Sequence, residues 1–312
     1  MLFIFIAKKI LGMNEEEALK LRGHYKVFAN GFLSFPINLP GTAFHSSLQG
    51  RKSAIKMIKD VFKKRRSSKE KANEQDFIDY LLQEIENEET FITEEIAVDL
   101  IFIVIFAAHE NTSSTMTRLF KYLTEYPDVL RQLKEEHENI LRNREDKYAP
   151  ISWIEYKSTI FTHKVTNETL RLANIASGKF RKVLKDVEIN GYTIPKGWTM
   201  VVCAQSIHLD ANKYENPLEF NPSRWKDEEL HSVSKTFVAF GGGNRMCVGA
   251  NLSKMQISIF LHYLMTSYRW KVSNKGNITR QPNLNFDDGI RIQVLEIQRE
   301  NNKEIITQVE GV

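Results

Sequence analysis

Cysteine is scarce in this sequence, which has only two in 312 residues, Cys203 and Cys247. Two cysteines cannot form the dense disulfide framework of a small secreted domain, so we expect a chain kept in a reducing compartment. A structural zinc site is a poor explanation for Cys247. Such a site needs about four ligands, and no second cysteine or histidine lies within ten residues of Cys247.

Long apolar runs are also scarce. The longest covers residues 99–108 and is bounded by Asp99 on one side and by His109 and Glu110 on the other. It is far shorter than the roughly 20 apolar residues that cross a bilayer, so we interpret it as part of a buried core helix. Residues 1–6 are apolar but lack a preceding basic stretch and a cleavage site, so we expect no secretory signal there.

Neither sign of charge dominates the sequence. The 43 Lys and Arg residues nearly balance the 39 Asp and Glu residues, and the 42% apolar content is ordinary for a globular protein. A dense basic cluster, residues 63–71, contains no aromatic residue. Surfaces that bind nucleic acid combine cations with stacking aromatics, so we interpret the cluster as a solvated linker and expect no nucleic-acid partner.

Helical patterning is abundant. Thr93 is placed to cap a helix of about 30 residues that meets no breaking signal before Pro127. Further helices are predicted over residues 14–28, 52–66, 77–85, 127–142, 152–172 and 250–267, with short strands within 187–204 and after Trp270. Because no βαβ alternation is present, we predict a mainly α fold with small β-sheets, an α+β arrangement, in a single domain over residues 1–312.

The most informative segment covers residues 237–254, where three consecutive glycines, an arginine and Cys247 precede a predicted helix. A cysteine nucleophile would need a histidine base that only the fold could supply, and it would leave the glycines unexplained. Haem–thiolate ligation explains both the cysteine and the glycines, because a planar macrocycle that lies against the backbone needs small neighbouring residues. In that interpretation the helix N-terminus stabilises a thiolate, which pushes electron density onto the iron and favours O–O cleavage. The candidate haem-binding residues are Cys247 as metal ligand, Arg245 for a propionate, Phe240 as a shield of the sulfur, and Gly241 and Gly249 for clearance.

The letters FGGGNRMCVG at residues 240–249 strongly resemble the haem-binding signature of the cytochrome P450 family, F-x-x-G-x-R-x-C-x-G. ETLR at residues 168–171 resembles the family's E-x-x-R motif, and NPSRW at residues 221–225 resembles its P-x-R-[FW] motif. The resemblance extends over about residues 20–295 and implies the cytochrome P450 fold without its N-terminal part, so that this chain is the C-terminal two-thirds. It also implies a buried structural cluster of Glu168, Arg171 and Arg224 behind the haem.

The resemblance assigns roles in the long helix as well. Residues 106–114, FAAHENTSS, resemble the family's oxygen-activation segment, in which an acid and a threonine deliver protons to dioxygen. Glu110 matches the acid, whereas Asn111 occupies the usual threonine position and Thr112 follows it. One residue turns a helix by about 100°, so Thr112 cannot simply replace Asn111. An asparagine at the usual threonine position implies one of two things. Either oxygen activation is slower or less tightly controlled, or the chemistry does not need proton delivery by this segment.

The cofactor that the resemblance implies is heme b, with Cys247 as the axial thiolate. Arg181 stands where the family often places a second propionate ligand. An ordinary surface arginine explains Arg181 equally well, and both interpretations stay open.

Two further stretches, residues 35–52 and 171–198, resemble the plant branch of the family that oxidises steroids, brassinosteroids and triterpenoids. The resemblance implies a haem–thiolate monooxygenase that uses O2, a lipophilic substrate of this kind and electrons from NADPH–cytochrome reductase. It also implies a place at the cytosolic face of the endoplasmic reticulum membrane, although we expect the family's membrane anchor to be absent from this chain. Two alternatives stay open: a truncated, inactive relative, and an enzyme that rearranges peroxides without reductase or dioxygen.

Overall fold

The computed structural model of the protein describes residues 1–67, 76–87, 89–176, 178–230, 235–274, 278–281, 283–286, 290–300 and 303–308. These residues form two compact units, Met1–Ser113 and Ser114–Val312. Part of the predicted charged linker is helical, because residues 63–67 are the last turns of a helix that ends at Ser67. The remainder of that prediction, from residue 68 to residue 71, lies outside the described residues.

The first unit is helical. Its helices are α1 (Leu2–Leu11), α2 (Glu15–Gly31), α3 (Ala43–Ser67), α4 (Phe77–Glu86) and the first part of α5 (Glu94–Glu125). Reciprocal side-chain caps at Asn14 and Asp76 begin α2 and α4, which confirms the helices predicted there. The prediction was wrong in starting α3 at residue 52, and it missed α1 because residues 1–6 were considered only as a targeting signal.

The core of the first unit depends on a close approach of α2 and α3. A β-carbon added at Gly50 would lie 2.8 Å from the His24 carbonyl oxygen and 2.9 Å from the Phe28 nitrogen, so only glycine fits. The Tyr25 hydroxyl donates to the Phe102 carbonyl (2.9 Å), which ties α2 to α5. Helices α2 and α5 each contribute one face to a continuous apolar core.

Helix α5 is the long helix that the sequence predicts. The Thr93 hydroxyl accepts a hydrogen bond from the Ile96 N–H (3.3 Å), as expected of a cap, and the helix ends just before Tyr126 and Pro127. One face is buried in the first unit, including Ala97, Val98, Ile101, Phe102 and Ile105. The opposite face is exposed, and 51% of the surface of Ile103 is accessible to solvent. Only one side of the apolar run therefore belongs to the core.

Among the described residues, α5 is the one helix with the length and composition to cross a membrane. A core helix of a soluble protein can pass the same test, and 33% of the apolar window of α5 is buried.

The second unit begins within α5, and its described residues include five further α-helices. They are α6 (Pro127–Arg142), α7 (Trp153–Ser158), α8 (Ile160–Ala173), α9 (Ala204–His208) and α10 (Ala250–Ser267). The bounds of α6 and α10 confirm the sequence prediction. The predicted helix over residues 152–172 is instead two helices, α7 and α8, separated at Thr159. The cause is tertiary, because the Glu136 carboxylate of α6 accepts the N–H groups of Phe161 (2.6 Å) and Thr162 (2.9 Å) and so caps α8.

The second unit also contains small antiparallel sheets. Their strands are β1 (Lys179–Lys182), β2 (Val187–Ile189), β3 (Tyr192–Ile194), β4 (Thr199–Val202), β5 (Tyr268–Asn274), β6 (Ile278–Gln281), β7 (Asn283–Phe286), β8 (Arg291–Glu300) and β9 (Lys303–Gln308). The pairs are β1 with β4, β2 with β3 and β6 with β7, while β5, β8 and β9 form one sheet in that order. The mainly helical fold with small sheets is thus confirmed, although β1 was not predicted.

A buried chain of hydrogen bonds joins α10, α6 and α8. The Thr162 hydroxyl donates to the Glu136 carboxylate (2.6 Å), so it accepts from His137 Nε2 (2.9 Å). His137 Nδ1 is then the acceptor in its contact with His262 Nδ1 (3.3 Å). This order of donors requires His137 to be neutral, because its Nδ1 accepts a hydrogen bond and so carries no proton.

Candidate functional site

The loop before α10 is held in a tight turn by glycines. Gly241 has φ +81° and Gly243 has φ +62°, a left-handed conformation that other residues adopt only with strain. The Gly241 N–H donates to the Val238 carbonyl (2.9 Å) and the Cys247 N–H donates to the Phe240 carbonyl (2.8 Å). These bonds close the loop into a fixed shape. We call residues 237–249 the cysteine loop.

The Cys247 thiol is free and exposed at the outer side of the cysteine loop. Helix α10 begins three residues later at Ala250, whose N–H donates to the Cys247 carbonyl (3.4 Å). A β-carbon at Gly249 would lie 3.9 Å from Cys247 Sγ, in van der Waals contact with the sulfur. The loop therefore presents a thiol that is accessible to a ligand and flanked by a residue without a side chain.

Phe240 anchors the cysteine loop to the interior. Its ring packs against the small apolar cluster of Leu170, Ala173 and Ile175, at the C-terminal end of α8. Lys254 Nζ lies 5.7 Å from the centre of the ring on the α10 side. Burial lowers the pKa of Lys254 to about 8.

Two side chains that are distant in sequence form hydrogen bonds with the backbone of Val238. Its N–H donates to His208 Nε2 (3.0 Å), and its carbonyl accepts from Lys179 Nζ (3.2 Å). Burial lowers the pKa of Lys179, the nearby Arg181 lowers it further, and attraction to Cys247 acts in the opposite direction. Lys179 therefore places its ammonium group at the cysteine loop.

The two predicted propionate ligands are exposed. Arg245 ends a short 3₁₀ turn, Gly243–Arg245, two residues before Cys247. Arg181 lies on β1, opposite Met200 of β4, and its Nη1 donates to the carbonyl of Phe180 (2.8 Å). Exposure is compatible with a ligand-binding role and with a surface role, so the assignment of both arginines stays a prediction.

Behind the cysteine loop, Glu168 lies at the centre of a buried ion cluster. It is fully buried, and its carboxylate accepts two bonds from Arg171 (2.8 Å each), one from Arg224 Nε (3.0 Å) and one from Trp225 Nε1 (3.1 Å). The Asn221 N–H supplies a fifth bond (3.0 Å). The predicted cluster of Glu168, Arg171 and Arg224 is confirmed, and its buried charges are paired, as such groups must be.

The same cluster organises the chain that leads to the cysteine loop. Arg171 Nη1 donates to the carbonyls of His208 (2.6 Å) and Pro217 (2.7 Å), and Nη2 donates to that of Glu219 (3.2 Å). The guanidinium also lies 4.9 Å from the ring centre of Tyr214. His208 therefore connects the ion cluster through its carbonyl to the cysteine loop through its ring.

The polar segment of α5 belongs to the first unit. The Glu110 carboxylate lies 3.4 Å from His109 Nδ1, and its side chain is 41% exposed. Asn111 is exposed, and its Nδ2 donates to the Ala107 carbonyl (3.0 Å), whereas Thr112 is buried. Asn111 and Thr112 thus differ in surroundings, as their separation around the helix predicts. The proton-handling roles of Glu110, Asn111 and Thr112 remain predictions.

The cysteine loop suits a haem iron. Its donor is one soft thiolate, which is a known axial ligand of haem iron, and glycine beside the sulfur leaves room for a flat group. The loop itself and strand β1, which contacts it through Lys179, carry cationic side chains of the kind that pair with the carboxylates of a haem. These cations are Lys179, Arg181 and Arg245.

Comparisons with known proteins agree with this geometry. The family model "Cytochrome P450" matches residues 8–295. Cytochrome P450 87A3 of Oryza sativa subsp. japonica is 46% identical over 94% of this chain and 58% of that protein. Beta-amyrin 16-alpha-hydroxylase CYP87D16 of Maesa lanceolata is 39% identical over 94% of this chain and 62% of that protein. Cucurbitadienol 11-hydroxylase of Siraitia grosvenorii is 40% identical over the same two shares, 94% and 62%.

The chain therefore belongs to the cytochrome P450 family, whose members carry a haem iron with a cysteine thiolate ligand. A solved structure, "Retinoic acid bound cyanobacterial CYP120A1", shows the same fold with a TM-score of 0.80 at 22% identity, over 95% of this chain and 67% of that one. The chain spans about 58–62% of the length of the three curated relatives named above.

Sequence reasoning missed two residues at the cysteine loop, Lys179 and His208. Lys179 is two residues before Arg181, so alternation along a strand would have placed both on one face if β1 had been recognised. His208 lies at the end of α9, a helix that was not predicted, and no local pattern marks its contact with Val238.

Proposed function

We propose that the chain is a haem–thiolate monooxygenase that oxidises a sterol-, brassinosteroid- or triterpenoid-like substrate with O2 and reductase-supplied electrons. The observation that carries this proposal is the exposed thiol of Cys247, presented by a glycine-shaped loop at the start of α10 and braced from behind by the Glu168 ion cluster. Residues 1–312 act as one cytochrome P450-like domain in this proposal.

In the proposed site Cys247 is the iron ligand of heme b. When bound, thiolate-ligated haem supplies reductive activation of dioxygen and cleavage of its O–O bond. Arg245 and Arg181 hold the haem carboxylates, while Gly241 and Gly249 keep the surface beside the sulfur free of side chains. Phe240, fixed by its own packing, keeps water from the inner side of the sulfur.

Glu110 handles protons in this proposal. Its carboxylate is partly exposed and lies next to His109, so it can exchange protons with solvent. Asn111 and Thr112 supply hydrogen-bonding groups on the same helix, but the amide of Asn111 is not a proton donor of the hydroxyl kind. We expect proton delivery through this segment to be less tightly controlled than in relatives with threonine at position 111.

The proposed substrate class rests on the relatives. Two of them are named for oxidation of beta-amyrin and of cucurbitadienol. A third relative, from Glycyrrhiza uralensis, is named beta-amyrin 11-oxidase and is 37% identical. We therefore expect a bulky, lipophilic, polycyclic substrate.

The proposed electron donor is NADPH–cytochrome reductase, and the proposed location is the cytosolic face of the endoplasmic reticulum membrane. Both follow from family membership together with the mildly basic charge of +4, which suits an acidic electron-transfer partner.

The test is the carbon monoxide difference spectrum of the reduced 312-residue chain beside its Cys247→Ala variant. A strongly red-shifted Soret band that disappears in Cys247→Ala is the expected result, because only a thiolate ligand produces it. Cys203→Ala serves as the matched control, since Cys203 is also free and exposed. The absence of this band from the unmodified chain would contradict the proposal and favour an inactive relative.

A second measurement separates monooxygenation from peroxide rearrangement. Product formation from a triterpenoid should require both dioxygen and the reductase. Turnover of a lipid peroxide with neither of them present would favour the rearranging enzyme instead.

A further inference from the structure

The Val238 carbonyl accepts two hydrogen bonds, one from inside the cysteine loop and one from outside it. The inner donor is the Gly241 N–H (2.9 Å), which closes the turn, and the outer donor is Lys179 Nζ (3.2 Å). The N–H of the same residue donates to the buried His208 ring (3.0 Å). The backbone of Val238 is therefore held at its N–H by a side chain from α9 and at its carbonyl by a side chain from β1.

Lys179 is held in its place by packing as well as by the hydrogen bond. A β-carbon at Gly241 would lie 3.7 Å from Lys179 Nζ and 3.9 Å from Lys179 Cε, so the lysine covers this glycine. A larger residue at position 241 would meet the lysine in addition to the strain of its left-handed backbone. The lysine and the loop are thus shaped to fit each other.

The strand register gives Lys179 a definite direction. Lys179 and Arg181 are two residues apart on β1 and lie on the same face of the strand, opposite Val202 and Met200. Lys182 lies on the alternate face and is exposed. Of these two lysines on one short strand, Lys179 contacts the cysteine loop and Lys182 points away from it.

We infer that Lys179 is a positioning residue for Cys247: it fixes the Val238 carbonyl at the root of the cysteine loop and keeps a positive charge at the loop that carries the ligand. This role rests on the proposed haem–thiolate function. A fixed cation near the sulfur stabilises the reduced, more negative state of the site relative to the oxidised state. Lys179 therefore tunes the ligand without touching the iron.

The first test needs no haem. Amide hydrogen exchange of the cysteine loop is measured in the unmodified chain and in Lys179→Met, Lys179→Arg and Lys182→Met. Loss of a charge-assisted hydrogen bond should speed exchange at the Gly241 and Cys247 amides by about tenfold in Lys179→Met. Lys179→Arg retains a donor and the charge and should restore slow exchange, and Lys182→Met should match the unmodified chain.

The second test uses the haem-loaded chain. Lys179→Met should shift the ferric–ferrous reduction potential to more negative values and lower the fraction of the carbon monoxide complex that shows the thiolate band. Lys179→Arg should recover both values. A residue with a purely structural role would change stability but would leave the potential of the remaining thiolate-ligated fraction unmoved.

Unchanged exchange and an unchanged potential in Lys179→Met would overturn the role of Lys179. Equal effects in Lys182→Met would also overturn it, because they would reflect general surface charge. If the unmodified chain forms no thiolate complex, the proposed function fails and the charge effect with it. The exchange measurement then still decides whether Lys179 fixes the loop.

Discussion

Glu110 and Asn111 show how neighbouring residues on one helix differ in what they can contribute. Glu110 offers a titratable carboxylate beside His109, whereas the Asn111 amide already donates to the Ala107 carbonyl within the helix. The acid is therefore the one group of this pair with the chemistry of a general acid or base. Proton handling by Glu110 is therefore the role that we propose and test by substitution.

We predict that Glu110→Gln slows substrate-dependent oxygen consumption on the order of 100-fold, because a positioned general acid contributes about that much. The measurement is oxygen uptake with reductase and a triterpenoid substrate, and the carbon monoxide spectrum verifies that the haem site is intact. Glu95→Gln, an exposed acid at the start of the same helix, is the control. Equal turnover in Glu110→Gln and the unmodified chain would remove the proton-handling role.

At the scale of elements, the Glu168 cluster is the connection between α8 and the chain from α9 to Trp225. Five hydrogen bonds converge on one buried carboxylate, and two of their donors are guanidinium groups. Arg171 is fully buried and the Arg224 side chain is 11% exposed, so neither can turn to water when its partner is lost. The connection depends on the charge of Glu168 in particular.

We predict that Glu168→Gln lowers the free energy of unfolding by about 3–5 kcal/mol, because a buried pair that loses one partner leaves uncompensated charge. Denaturant titration followed by circular dichroism measures this loss. Glu188→Gln, an exposed acid on β2, should change stability by less than about 0.5 kcal/mol. Comparable losses in the two variants would show that the cluster adds nothing beyond surface electrostatics.

Some helix boundaries and one strand depend on tertiary contacts and so cannot be predicted from the local sequence. Helices α2, α4 and α5 begin at side-chain caps that are visible in the sequence, and α6 begins at Pro127, which also marks the end of α5. The division between α7 and α8 arises from Glu136, which is distant in sequence and caps α8 across the fold. Strand β1 likewise exists through its pairing with β4, about twenty residues further along.

The residues of the candidate site were likewise predictable where they belong to a continuous motif, but not where they come from separate segments of the chain. The cysteine loop and the E-x-x-R motif are continuous in sequence, so Cys247 and Glu168 could be assigned before the fold was known. Lys179 and His208 reach the loop from other segments, and only the fold brings them to the Val238 peptide.

At the scale of the whole molecule, buried histidines make stability depend on pH. Burial, with a smaller contribution from the neighbouring His262, lowers the pKa of His137 to about 3. Burial likewise lowers the pKa of His262 to about 4, with an added contribution from Arg144. A proton on His137 Nδ1 would also face the N–H of His262, so the hydrogen-bonded chain through Thr162 would break.

We predict that the free energy of unfolding falls as the pH is lowered from about 6.5 toward 4, because the unfolded chain takes up protons that the folded chain excludes. Each buried histidine contributes up to about 1.4 kcal/mol per pH unit in this window. Above pH 6.5 the full contribution is present. Denaturant titrations at a series of pH values measure the slope.

His137→Gln should flatten this slope, whereas His24→Gln, which replaces a partly exposed histidine in the first unit, should preserve it. An identical slope in His137→Gln and the unmodified chain would mean that the buried pair does not control the acid response.

The Glu168 cluster can be completed only after a further stretch of the chain has been synthesised. Glu168 and Arg171 are synthesised together, but Trp225, which completes the cluster, follows Glu168 by 57 residues. At about 5–20 residues per second, the ribosome needs roughly 3–11 s to add that segment. During this interval the two charges of α8 have only each other, and the site that will become the interior of the protein is still open to water. The cysteine loop comes later still, so Cys247 joins a scaffold whose buried charges already have all their partners.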